Sequence, residues 1–202
     1  MACSRMARWS SSIESNRARE VGRAAESNPR DGVVMVDRTF LQSHALFGGL
    51  SDSDADSVLA MLKEARFRSG EWIVLEGDCD NRVFLIVSGS VKVLKKVSGP
   101  CGCEEEELAV LGEGMTFGEM EVIDIQPRSA SVRAVADTVV LTLSSTEMYR
   151  IYKSMREAHT LIIMNIAREI SRRLRKMDVL AANTLYAREH EHDRSVGGTA
   201  SA

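Results

Sequence analysis

Residues 117–132 read FGEMEVIDIQPRSASV, and Gly118, Glu119 and Arg128 among them space a glycine, a carboxylate and a guanidinium so as to hold a small anion. Gly118 lets the backbone come close to a ligand, and the residues after it can open a short helix whose free N–H groups point at negative charge. Glu119, when ionised, is an acceptor suited to a ligand hydroxyl. Arg128, nine residues further on, offers a planar, permanently charged fork, with the Ser129 hydroxyl and neighbouring N–H groups beside it. Pro127 fixes the approach to that arginine. Turnover would need a metal centre or a positioned acid and base. The sequence holds no His, Asp and Glu cluster of that kind, so binding without catalysis is expected.

The elements that must position these groups follow from periodicity. After Gly70 the chain turns to short apolar or alternating runs: Trp72 to Leu75, Val83 to Val93, Leu108 to Leu111, Ser131 to Val135 and Val139 to Leu143. Gly77, Asp78, Ser88, Gly89, Ser98, Gly99, Pro100, Gly112 and Gly114 punctuate them as turns. Many short strands at this spacing predict an antiparallel sandwich, jelly roll or barrel. The 117–132 segment lies between two strand patterns, where a simple hairpin needs only about two to five residues. It is therefore built for something other than a turn. Upstream, Ser51 and Asp52 give a helix-cap signal ahead of Val58, Leu59, Met61 and Leu62, which predicts order from near Phe40 and one helix of about three turns. From Ser145 to about His190 the pattern is helical again. The expected fold is mainly β with flanking helices, a β-roll followed by a long C-terminal helix.

Along that helix Ile163, Ala167, Ile170, Leu174, Met177, Ala181 and Thr184 alternate spacings of four and three. This a/d repeat predicts a two-stranded coiled coil and hence a homodimer through a 163–184 seam. Arg168, Glu169, Arg172, Arg173, Arg175, Lys176 and Asp178 keep its flanks wet.

Composition narrows the classes. With 202 residues, 44% of them hydrophobic, the chain can bury one domain plus appendages. The longest apolar runs, Val83 to Val87 and Leu161 to Met164, fall far short of a membrane span, so a soluble protein is expected. A formal net charge of −3 gives no global attraction to nucleic acid. Four cysteines, at 3, 79, 101 and 103, without a signal-peptide core, fit a reducing cytoplasm. Cys101 and Cys103 supply only two soft ligands where a structural zinc takes four, so no metal is expected there. Glu104 to Glu107 are read as the decoration of a solvated hairpin, and His190 and His192 as part of a charged end. Residues 1–38, with seven Arg, five acids, no Lys and no sustained period, read as a disordered tail.

FGE, seven residues, then PRSA resembles the phosphate-binding cassette of the cyclic-nucleotide-binding family, which includes the bacterial catabolite activator protein and the regulatory subunits of protein kinase A. Gly70, Gly77, Gly89 and Gly118 and the LFGGLS of 46–51 extend the likeness over roughly 40–177. The resemblance implies a double-stranded β-helix at 39–155, a lid or dimerisation helix at 156–188, a disordered tail at 189–202 and cAMP or cGMP as ligand. It implies that Phe117, Gly118, Glu119, Met120, Arg128, Ser129 and Ala130 form the cassette, with Glu119 on the ribose 2′-hydroxyl and Arg128 on the cyclic phosphate. It also brings Arg173, Met177 and Asp178 of the long helix near the base. The activators continue with a helix-turn-helix domain, whereas 25 residues follow Met177 here, so no DNA reader is expected and the output is a protein effector of unknown kind. Glu121 departs from the family, which commonly has a small residue there. A carboxylate near a bound phosphate would repel it, unless Glu121 turns away from the ligand that Glu119 touches, since helix positions two apart do not face each other. The departure bears on affinity more than on fold. Two other readings keep the fold: a dimeric interaction module in which Glu119 and Arg128 merely pair, and a β-roll that binds another ligand such as haem.

Overall fold

The computed structural model describes residues 36–99, 102–124 and 126–196, from 187 onward as backbone. Most of the expected N-terminal tail, the expected C-terminal tail beyond 196, and the side chains of Cys101, Cys103, His190 and His192 lie outside the described residues.

Two short helices come first, α1 (Arg38–Ser43) and α2 (Asp52–Leu59). Ser51 caps α2 as the sequence predicts, its hydroxyl accepting from the Asp54 N–H at 3.1 Å, while α1 was not foreseen. Eight strands follow: β1 (Lys63–Phe67), β2 (Trp72–Val74), β3 (Arg82–Ser88), β4 (Ser90–Gly99), β5 (Gly102–Gly112), β6 (Thr116–Phe117), β7 (Ser131–Ala134) and β8 (Thr138–Ser144). The short helix α3 (Met120–Asp124) stands between β6 and β7, and α4 (Ser145–Ser154) and α5 (Arg156–Val196) close the chain. The strands form two antiparallel sheets of four, ordered β1-β8-β3-β6 and β2-β7-β4-β5. This is the β-roll with flanking helices and a long terminal helix that the sequence predicts.

β3 explains its own composition. Phe84 and Ile86 point into the core between the sheets, with Val91, Phe117, Val132 and Val140, whereas Val83, Leu85 and Val87 face the helices. A strand buried on both faces reads as a continuous apolar run rather than an alternating one. Gly89 divides the expected single run Val83 to Val93 into β3 and β4, because its φ of +88° suits a turn and a Cβ there would lie 2.4 Å from the Asp137 carbonyl oxygen.

The helical segment after Ser144 is two helices. Ser144 and Glu147 form a reciprocal capping box at the start of α4, and Met155, with φ −140° and ψ 70°, breaks the run. In α5, Ala158, Ile162 and Ile166 recur every fourth residue and are fully buried against the first sheet and α1–α2. Asn165 completes the attachment, its amide donating to the carbonyls of Leu46 at 3.1 Å and Gly48 at 3.0 Å. The helix continues past the expected end at 188 to Val196. Among the described residues no helix is long and apolar enough to cross a membrane.

Candidate functional site

The site is built where β6 ends. Gly118 has φ +77°, and a Cβ there would lie 2.2 Å from Arg128 Nη1 and 2.7 Å from the Arg82 carbonyl oxygen, so glycine is what lets the guanidinium lie against the backbone. The chain then makes α3 and returns through Pro127. Its return is pinned to the turn before β3: the Arg128 N–H donates to the Asp78 carbonyl at 2.8 Å and the Gly77 N–H to the Arg128 carbonyl at 2.9 Å.

Arg128 is 3% exposed. Its Nη2 donates to the Arg82 carbonyl at 2.6 Å and lies 3.3 Å from Asp80 Oδ1, and its Nη1 donates to Glu121 Oε2 at 3.0 Å. Below it the Phe84 ring, 5.4 Å from the guanidinium carbon, stacks on Phe117 at 4.7 Å. Burial alone would raise the Asp80 carboxyl, but its hydrogen bonds from Arg82 and the charges of Arg82 and Arg128 outweigh that and hold it below the ordinary value. Asp80 and Arg82, which no motif marked, are therefore the outer support of the clamp. An acid two residues before an arginine at a strand start reads in sequence as a solvated turn.

Glu119 is also 3% exposed. Its Oε1 accepts from Arg173 Nη1 of α5 at 2.6 Å, and Arg173 Nη2 donates to the Thr116 carbonyl. Burial raises the Glu119 carboxyl above the ordinary value; the Arg173 charge opposes this, and Glu121 and Glu169 add to it. Among the described residues, two buried side-chain polar atoms have no hydrogen-bond partner, Glu119 Oε2 and Arg128 Nε.

Glu121 corrects an expectation. It does not turn away; it is 5% exposed and its carboxylate spans the clamp, Oε2 on Arg128 Nη1 at 3.0 Å and Oε1 accepting from the Ser129 N–H at 3.3 Å. The rule for positions two apart compares faces of a regular helix. Here the partners, Arg128 and Ser129, come from the chain returning ahead of β7 and not from α3 itself.

The structure brings Phe117, Gly118, Glu119, Arg128, Ser129 and Arg173 together around this seat. Met120 is 52% exposed on the outside of α3, and Ala130 is half-buried where the chain enters β7. Met177, 63% exposed, and Asp178, also exposed, lie on the part of α5 that has left the roll, and the structure does not bring them to the cassette. Lys95 joins the rim without having been foreseen, its Nζ donating to the Ser129 carbonyl and to Glu76 Oε1, both at 2.6 Å. Among the described residues no group of three or more His, Cys, Asp or Glu is placed to hold a metal ion.

Comparison with known proteins agrees with this geometry. The family model described as "Cyclic nucleotide-binding domain" matches residues 64–155. The cyclic AMP receptor protein of Thermus thermophilus is 32% identical over 139 residues, covering 69% of this chain and 61% of that protein. A cGMP-dependent protein kinase of Toxoplasma gondii is 33% identical over 97 residues, 48% of this chain and 9% of the kinase. The crystal structure of the Thermus thermophilus catabolite activator protein superposes with a TM-score of 0.61 at 32% identity, over 70% of this chain and 63% of that one. This chain thus spans less than two thirds of each of these relatives. The β-roll and the Gly118–Arg128 cassette agree with these likenesses, and residues 64–155 match the cyclic nucleotide-binding domain.

Proposed function

We propose that the protein is a cytoplasmic, non-catalytic sensor of a cyclic purine nucleotide, cAMP or cGMP, that signals through α5 to a protein effector. Glu119 takes the ribose 2′-hydroxyl, and Arg128 and the Ser129 N–H take the cyclic phosphate. The observation that carries this reading is the identity of the two orphaned atoms: one acceptor, Glu119 Oε2, and one donor, Arg128 Nε. A buried group without a partner costs about 1–3 kcal/mol. A ligand with a hydroxyl donor beside an oxyanion acceptor would satisfy both. One relative is named for cyclic AMP and another for cGMP, so both bases belong to the proposal.

Arg173 supports the route of the signal, because it joins α5 to the carboxylate that would receive the ribose. A ligand hydroxyl on Glu119 changes the contact that holds this turn of α5. A ligand shifts such an equilibrium only by its difference in affinity for the two positions of the helix. Met177 and Asp178 would meet the base only if the distal helix folded over the roll. Homodimerisation through the 163–184 seam is part of the same proposal, supported by the seam residues Leu174 and Met177, which are 58% and 63% exposed, while Ile163 and Ile170 of the same repeat pack partly on the roll.

Titration calorimetry with cAMP, cGMP and 2′-deoxy-cAMP tests the reading. Saturable binding of at least one purine cyclic nucleotide is expected, weaker by about 1–3 kcal/mol for the deoxy compound, which leaves Glu119 Oε2 unpaired. No heat with any of the three would overturn it, and equal affinity for cAMP and its deoxy analogue would remove Glu119 from the ribose.

A further inference from the structure

We infer that Glu121 is a tethered anion occupying the phosphate seat, a specificity-determining residue that an incoming cyclic nucleotide must displace. The inference rests on the assignment of that seat made above. Of the donors proposed for the phosphate, Arg128 Nη1 and the Ser129 N–H are engaged by the Glu121 carboxylate, one oxygen on each, at 3.0 and 3.3 Å, which leaves Arg128 Nε. Arg128 Nη2 is committed elsewhere, to the Arg82 carbonyl and Asp80. A phosphate oxygen can reach Arg128 Nε, but a second oxygen can engage Nη1 or the Ser129 N–H only by releasing Glu121, and two carboxylates already face the one guanidinium. Like charges brought together in a buried site repel strongly.

Burial makes the arrangement more than a surface ion pair. Glu121 and Arg128 are 5% and 3% exposed, so neither charge can be released to water in place. The competitor is also covalently attached, which gives it the high effective concentration of an intramolecular ligand. The site therefore has two states. In one the protein's own carboxylate closes the clamp; in the other Glu121 has swung out and the ligand's phosphate replaces it. The apparent affinity for a cyclic nucleotide is its intrinsic affinity reduced by the fraction of molecules in the second state. A neutral nucleoside, which needs the ribose acceptor but not the clamp, is exempt from this competition.

Calorimetry on the wild type, Glu121→Ala and Glu121→Gln, each titrated with cAMP, cGMP, adenosine and guanosine, tests the inference. Removing the charge should tighten the cyclic nucleotides by about tenfold or more and leave the nucleosides unchanged. Glu121→Gln keeps the volume and Asp80 still faces Arg128, so this variant decides if the Ala variant fails to fold. Unchanged or weaker cyclic-nucleotide binding in a folded variant overturns the inference while leaving the site assignment intact. No binding of any of the four by any of the three proteins overturns the site assignment and the inference together. In the wild type, the carboxyl-carbon NMR signal of Glu121 should move on saturation with cAMP; a signal that stays put overturns the exchange without recourse to a variant.

Discussion

The two halves of α5 share one sequence texture and have opposite surroundings. In the first turns Ala158, Ile162 and Ile166 are fully buried, and Asn165 is hydrogen-bonded to the loop between α1 and α2. Beyond Arg173 the apolar residues recur as regularly, yet Leu174, Met177, Val179, Leu180 and Tyr186 are all about as exposed as side chains of an isolated helix, at 58% to 65%. Amphipathicity states that a face will be covered, not by what. The proximal face is covered by its own roll; the distal face stays exposed, as the proposed homodimer seam requires. Arg173 marks the border, one guanidinium turn reaching back to Glu119.

The comparison breaks first on stability. Ile166→Ala should destabilise the protein by about 2–5 kcal/mol, because it opens a cavity in the packed cluster. Leu180→Ala, at an exposed position, should move the monomer's unfolding by no more than about 0.5 kcal/mol. Equal losses in urea melts would mean that the distal half is packed on the roll after all. The next largest effect belongs to the roll side of the border, where Asp80 supports the clamp between Arg82 and Arg128. Its carboxyl is held below the ordinary 3.8, so its contribution is complete above that value and is lost as the pH falls through the lowered one. Asp80→Asn should cost about 1.5–3 kcal/mol at neutral pH, and the gap from wild type should close on acidification. A gap that widened as the pH fell would contradict the assigned pairing. The smallest change in folding, and a complete change in assembly, is expected of Leu174→Glu: a charge in an apolar a/d layer should turn a dimer into a folded monomer. Light scattering that finds the wild type monomeric would end the seam.

How much of this was legible beforehand varied with the kind of signal. The segment 117–130 stands out in sequence because the freedom of Gly118, the constraint of Pro127 and the charge of Arg128 are residue properties that sequence displays directly. The contacts of Glu121 were not legible, because its partners come from the residues ahead of β7 and not from its own helix. β1, with burial only at Ala65 and Phe67, has the sequence KEARF, too polar to announce a strand. It exists because β8 offers it a register from Lys63 opposite Thr142 to Phe67 opposite Thr138. The break at Met155 and the persistence of α5 to Val196 were likewise invisible to periodicity, which runs through the first and fades before the second.

The acidic run of β5 has a consequence beyond decorating a hairpin. β5 is the outer strand of its sheet, and its inner neighbour sets Lys95 opposite Glu106 and Lys96 opposite Glu105. Its outer side offers unpaired backbone groups beside Leu108 and Val110, which are 58% and 55% exposed, the ingredients of uncontrolled strand-to-strand association. Glu104 to Glu107 put four carboxylates on that strand, alternating between its two faces, so two copies pairing there bring like charges together. The run works as a fender: it gives an open, partly apolar sheet margin a negative charge that disfavours pairing with a second copy of itself.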